Sequence, residues 1–262
     1  MLKLLKYEWK ACARTCLPLY GVLILMSLIS RILYVIPKNA SLDFMLPAIG
    51  SMLYMGVMMA AFVVTAVILI QRFYKNLLGS EGYLMFTLPV TVSQHLLSKT
   101  IIAVVMIALS GIAAFLSIGI FADMSFGTLF VDMIKGVARS GGLLFGLELL
   151  VLAVLGIADM ALFVYMCMAL GHLASRHRLL MSIVWYVVLS TALQVLMLMV
   201  MMGAGNAVPE PFVDLMKVWW SGITPMGAAH LMLRFCCVFT LLSDAVYFLV
   251  TRWILVHKLN LE

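Results

Sequence analysis

Six long apolar runs constrain this chain more than any other feature of its sequence. Each reaches about 20 residues, the length that a helix needs to cross the hydrocarbon core of a bilayer. Backbone groups in hydrocarbon must be paired within the segment, so runs of this kind predict helices. Hydrophobic residues make up 65% of the sequence, well above the share in soluble domains. The runs cover residues 17–36, 46–70, 101–122, 141–170, 179–202 and 235–256.

These runs predict an all-α integral membrane protein with six transmembrane helices in one transmembrane domain, residues 17–258. Residues 1–16 precede it and have the pattern of an amphipathic interfacial helix. One face would carry Leu2, Leu5, Trp9, Cys12 and Cys16. The opposite face would carry Lys3, Lys6, Lys10 and Arg14.

The distribution of Lys and Arg predicts the orientation of the chain. An even number of spans places both termini on one side, and that side holds eleven of the 17 basic residues. Loops rich in Lys and Arg face the cytoplasm, so we expect both termini to be cytoplasmic and the membrane to be the cell (plasma) membrane. Because the basic residues are scattered among loops, positive-inside topology and anionic lipid headgroups explain the net charge of +6 better than nucleic acid does.

The segment 71–99 is the longest polar-bearing stretch on the cytoplasmic side. As a helix it would carry an apolar face. That face would consist of Tyr74, Leu77, Leu78, Met85 and Leu88. Pro89 would end this helix, and Ser93 is the expected N-cap of the next. The pattern predicts a short helix along the membrane surface between the second and third spans.

The order of residues in this segment also carries a resemblance. Glu81 and Gly82 precede an apolar turn, Leu88-Pro89-Val90 follows, and Ser93 and the pair Ser98-Lys99 open the third span. This order resembles the cytoplasmic loop between the second and third spans of type 2 ABC transporter permeases, a family of six-span exporter subunits.

The resemblance implies a function and a set of partners. In that family the loop carries a coupling helix that docks on a separate ATP-hydrolysing subunit. The implied coupling residues are Tyr74, Leu77, Leu78, Glu81, Gly82, Tyr83, Leu84 and Phe86. The implied partners are an ABC ATPase subunit, a second copy or a related permease, and membrane lipid. ATP and Mg²⁺ would be bound by the ATPase, with no cofactor bound by this chain.

Two further segments have a family interpretation beside a simpler one. For residues 1–16 the resemblance implies a connecting helix that also touches the ATPase, while a membrane-surface anchor explains the pattern equally well. For the loop 203–234 it implies short re-entrant helices on the outer side, here over 211–221 and 226–234. Tryptophans at the headgroup level explain Trp219 and Trp220 without that assumption.

Signatures of catalysis are absent from the sequence. It has no G-x-x-x-x-G-K-[ST] phosphate loop, no H-E-x-x-H and no G-x-S-x-G, so we predict a chain that is not itself an enzyme and expect no metal site. The five cysteines include no C-x-x-C pair and are expected to be buried free thiols.

Three acids inside the apolar runs are the remaining functional candidates. Glu148, Asp159 and Asp244 would be costly in a bilayer. They line a substrate path or relay a proton in one interpretation; in the other, each is protonated or hydrogen-bonded to a neighbouring helix. The sequence as a whole predicts a permease subunit of an ATP-driven ABC exporter. The alternative is a non-transporting membrane scaffold, sensor or immunity protein.

Overall fold

The computed structural model confirms the predicted fold class: the described part of the chain is helical and contains no strand. Its six helices are long and apolar enough to cross a membrane. They are α1 (Leu2–Val35), α2 (Met45–Phe73), α3 (Val92–Phe121), α4 (Leu143–His172), α5 (Arg178–Ala207) and α6 (Pro225–His257). The structure describes residues 2–35, 45–79, 90–122, 128, 131–132, 135–136, 142–174, 177–207 and 224–257.

Several helices extend beyond the predicted spans. The predicted interfacial helix 1–16 and the first span are one uninterrupted helix, α1, with Pro18 inside it. The predicted short helix 226–234 is the beginning of α6, whereas 211–221 lies outside the described residues. Hydropathy marks where a helix meets lipid, but helix ends depend on capping and backbone hydrogen bonds. Several helix ends, such as the starts of α3 and α6, therefore fall beyond the apolar runs.

The first compact unit comprises residues 1–139 and contains α1, α2 and α3, which contact one another pairwise. The Tyr20 hydroxyl on α1 donates to the Met106 carbonyl of α3 at 3.1 Å and lies 3.2 Å from the Thr65 hydroxyl of α2. Ser30 of α1 donates to the Gly50 carbonyl of α2 at 2.9 Å. Polar contacts of this kind hold helices together where the surrounding lipid is as apolar as their side chains.

The second compact unit comprises residues 140–262, and α4 contacts both α5 and α6. The Phe163 ring of α4 lies 5.5 Å from the Tyr186 ring of α5 and 5.4 Å from the Tyr247 ring of α6. A Cβ atom at Gly171 would overlap the backbone and hydroxyl of Ser182. The absence of a side chain at residue 171 is therefore what lets α4 and α5 come together at this point.

Candidate functional site

A π-helical turn follows α2 directly and shapes the end of this helix. Tyr74–Leu78 form a π-helical turn, and the Gly79 N–H closes it by donating to the Tyr74 carbonyl at 2.8 Å. A Cβ at residue 79 would lie 2.9 Å from the Lys75 carbonyl oxygen, which is too close for an unstrained side chain. Glycine therefore permits α2 to stop abruptly before residues 80–89.

The start of α3 corrects one prediction. Its N-cap is Thr91, in extended conformation, and not Ser93, which lies inside the first turn. The Gln94 side chain reaches back to accept the Thr91 backbone N–H at 3.4 Å, as in a capping box. The spacing Thr-x-x-Gln defines this helix start, and Ser93 alone does not.

A buried ionic cluster joins the three helices of the first unit near these two ends. The Lys99 ammonium of α3 donates to Glu8 Oε1 of α1 at 2.7 Å. The Arg72 guanidinium of α2 lies 3.7 Å from Glu8 Oε2. Glu8 is only 8% exposed and Lys99 only 5%. A charge removed from water needs a partner, and here one carboxylate serves two cations. We call Glu8, Arg72 and Lys99 the three-helix ionic cluster.

Several buried apolar side chains lie on the same helices as this cluster. Phe73, Leu77 and Leu96 are fully enclosed, as are the thiols of Cys12 and Cys16. They come from α1, the end of α2 and the start of α3, the same three elements that supply the charges. A displacement of either end of the segment 80–89 would therefore disturb both the ionic cluster and its apolar surroundings.

The predicted coupling residues divide into two groups. Leu77 and Leu78 are 0% and 2% exposed, so they pack inside the first unit and do not present their side chains to a docked protein in this conformation. They and the half-buried Tyr74 belong to the end of α2, not to a separate surface helix. The other predicted residues lie outside the described part of the chain: Glu81, Gly82, Tyr83, Leu84 and Phe86.

Glu148 on α4 has two partners on α6. His230 Nδ1 lies 2.5 Å from Glu148 Oε2, and Arg234 Nε donates to Glu148 Oε1 at 2.8 Å. The Phe145 ring also meets the His230 ring edge-on at 5.6 Å. These contacts fit the structural interpretation of this acid, in which it holds α4 against α6.

The other two acids lie along the same pair of helices. Ser243 donates a hydrogen bond to Asp159 Oδ1 at 2.6 Å, again from α6 to α4. Asp244 differs, because its Oδ1 is enclosed without a hydrogen-bond partner among the described residues. The structure thus places Asp159 beside a hydroxyl of α6, whereas it encloses an oxygen of Asp244 without such a partner among the described residues. Within the described residues, no group of three His, Cys, Asp or Glu side chains is arranged to hold a metal ion.

Comparison of the chain with protein-family models, with curated proteins and with solved structures finds no match. The function of the chain must therefore be argued from the geometry described above.

Sequence reasoning missed the three-helix ionic cluster, although a local signal pointed to part of it. Glu8 falls between Leu5 and Cys12 at spacings of three and four, so a helix places it on their face and away from the basic face. A carboxylate on an otherwise apolar face predicts a partner on another helix. Nothing local identifies Lys99, 91 residues further along the chain, as that partner.

Proposed function

We propose that this chain is the membrane-spanning permease subunit of an ATP-driven ABC exporter, with both termini in the cytoplasm of the cell membrane. The observation that best supports the proposal is the three-helix ionic cluster. It ties α1, the end of α2 and the start of α3 together beside the segment that would dock on the ATPase. A displacement of that segment would be transmitted to three membrane helices at once, as a coupling element requires.

The division of labour follows from the residues present. The chain has no phosphate loop, so ATP and Mg²⁺ belong to a partner ATPase subunit. Closure of the ATPases on ATP would displace the 80–89 segment, and the buried end of α2 would carry that displacement into the first unit. A second copy of the chain, or a related permease, would complete the transport pathway.

The docking surface is assigned to the loop itself. Leu77 and Leu78 are buried inside the first unit, so the residues that would meet the ATPase are Glu81, Gly82, Tyr83, Leu84 and Phe86. Glu81 is the acid of this group and lies between basic residues in sequence. Reversing its charge would place a cation where the partner is expected to accept an acid.

A substrate path along α4 and α6 is the second part of the proposal. Glu148 and Asp159 have protein partners, whereas Asp244 retains an enclosed oxygen without one among the described residues. Asp244 is therefore the acid with most capacity left for a passing substrate or proton.

The experiment is affinity capture of the tagged full-length chain from its native membranes in mild detergent. The expected result is capture of a protein that contains a phosphate loop and hydrolyses ATP in the complex. The variant Glu81→Arg should lose this ATPase. Asp132→Arg makes the same charge change in an exposed residue of the segment predicted to be outside the cell, and should keep it.

Two outcomes would count against the proposal. If the wild-type chain captures no such ATPase, the transporter interpretation fails and a scaffold, sensor or immunity protein becomes the better account. If both variants keep the ATPase equally, the chain has a partner but Glu81 is not part of the docking surface.

A further inference from the structure

A pocket of about 620 Å³ lies against the last turns of α6. Four of its lining residues are wholly or mainly hydrocarbon, and two are a cation and an imidazole. The lining residues are Leu249, Val250, Arg252, Trp253, Val256 and His257. Most lie on one stripe of the helix, because they recur at spacings of three and four. The pocket is therefore amphipathic, with an apolar part earlier in the helix and a polar part toward its end.

Arg252 differs from the other described arginines of the second unit. Arg234 donates to Glu148 at 2.8 Å, and Arg178 lies 3.4 Å from the His172 ring. Arg252 is exposed and, among the described residues, no carboxylate lies within ion-pair distance of it. A guanidinium offers five N–H donors in a planar fork that fits phosphate or carboxylate. Within the described structure, this fork lies beside a pocket and has no protein anion to bind.

The length of α6 indicates the depth of this group in the bilayer. The apolar part of the helix, Met226–His257, has 32 residues, or about 48 Å at the usual helical rise. The hydrocarbon core is about 30 Å thick, so each end of a centred helix projects about 9 Å into the headgroup layers. Arg252 lies five residues before the end of the helix, which is about 7.5 Å. The backbone of Arg252 would thus lie about 1.5 Å outside the hydrocarbon core of a centred helix. From there the long side chain can extend its guanidinium to the lipid phosphates.

We propose that this pocket binds one anionic phospholipid, whose phosphate is held by Arg252 and whose acyl chain lies along Leu249 and Val250. Trp253 and His257 would flank the headgroup, and their rings are stacked with centroids 6.0 Å apart. Tryptophan is enriched at this level of the membrane because its ring is apolar and its N–H is polar.

The electrostatics single out Arg252 as the residue to test. The carbonyl end of a helix carries a partial negative charge and disfavours an anion. Attraction must therefore come from the side chains of the last turns, and Arg252 supplies the permanent positive charge among the described lining residues. Its loss should abolish the preference for anionic lipid while leaving the apolar contacts in place. This inference depends only on α6 crossing a bilayer and not on the proposed transport function.

The test is native mass spectrometry of the full-length chain in detergent. The probes are dioleoylphosphatidylglycerol and dioleoylphosphatidylcholine, which have the same acyl chains but differ in charge. We expect the wild-type chain to retain the anionic lipid about tenfold more strongly, because a charge-assisted pair is worth roughly 1.5 kcal/mol. Arg252→Gln should reduce retention to the level of the zwitterionic lipid. Arg14→Gln, a matched change of an exposed arginine in α1, should leave the preference intact.

Three results would overturn the inference. They are equal retention of the two lipids by the wild-type chain, an unchanged preference in Arg252→Gln, and complete displacement of the lipid by inorganic phosphate at the same concentration. The last result would identify a site for free anions. Arg252→Lys guards against loss of fold in the glutamine variant: it keeps the charge but loses the planar fork, and should retain an intermediate preference. An unchanged preference there would refute the role of the fork.

Discussion

Replacing Glu8 by leucine should destabilise the first unit more than any other single change in the three-helix ionic cluster. The carboxylate lies 2.7 Å from the Lys99 ammonium and 3.7 Å from the Arg72 guanidinium. Its removal takes away the acid that both cations share. Lys99→Met removes only one cation, and Arg72 remains as a partner for Glu8.

The burial of the groups sets the magnitude. Breaking a buried ion pair by removing one member costs about 3–5 kcal/mol, because the remaining charge stays out of water. Glu8→Leu should fall in this range, since the Lys99 side chain is 4% exposed. Lys99→Met should cost less, about 1–3 kcal/mol. The double variant Glu8→Leu/Lys99→Met should be more stable than Glu8→Leu alone, because it leaves no buried ammonium behind.

The buried thiols provide the assay. Cys12, Cys16 and Cys167 are enclosed in the folded chain, so a thiol-reactive fluorophore reports their exposure on heating. Cys236 and Cys237 are only partly buried and would be replaced by serine in every sample. About 2–4 °C per kcal/mol is expected for a protein of this size, so Glu8→Leu should lower Tm by about 6–20 °C.

The control is Lys10→Met, which removes an exposed charge two residues from Glu8 in the same helix. It should change stability by no more than about 0.5 kcal/mol. If Glu8→Leu has the same Tm as the Lys10→Met control, the Glu8 carboxylate is solvated and the cluster does not hold the three helices together. A double variant less stable than both single ones would refute the argument that Glu8→Leu destabilises the chain through loss of the Glu8–Lys99 pair.

Two further substitutions test the second unit with the same melting assay. Gly171→Ala should destabilise the chain by about 1–3 kcal/mol, because the added methyl group overlaps the Ser182 backbone and forces α4 and α5 apart. The control Gly156→Ala, at a helical position with open space, should be neutral or slightly stabilising. Equal effects of the two substitutions would contradict this account. Asp159→Asn keeps an oxygen that can accept the Ser243 hydroxyl, so its Tm should stay near that of the wild type while Asp159→Leu melts earlier; equal melting of the two would show that this bond does not contribute.

The number and type of the helices were predictable because hydropathy over about 20 residues is a local property of the sequence. Helix ends were not predictable in this way. The end of α2 depends on the backbone contact that only Gly79 allows, and the start of α3 depends on Gln94 reaching back to Thr91. Both are details of a few atoms that hydropathy does not measure.

The candidate site was predictable only in part. The segment 71–99 was recognised from its polar residues, but the burial of Leu77 and Leu78 depends on packing against other helices. Periodicity shows that two leucines share a face without showing what that face meets. The pairing of Glu8 with Lys99 is even less predictable from sequence, since it joins groups that are 91 residues apart.

The long-range pairs have a consequence for biosynthesis. Glu8 meets Lys99 and Tyr20 meets the Met106 carbonyl, across 91 and 86 residues. The ribosome adds about 5–20 residues per second, so Lys99 and Met106 are synthesised roughly 5–18 seconds after their partners in α1. Glu148 similarly waits for His230, 82 residues later. We therefore expect the chain to insert into the membrane as two successive groups of three spans. In each group, polar side chains of the first span remain without these partners until the third span is inserted.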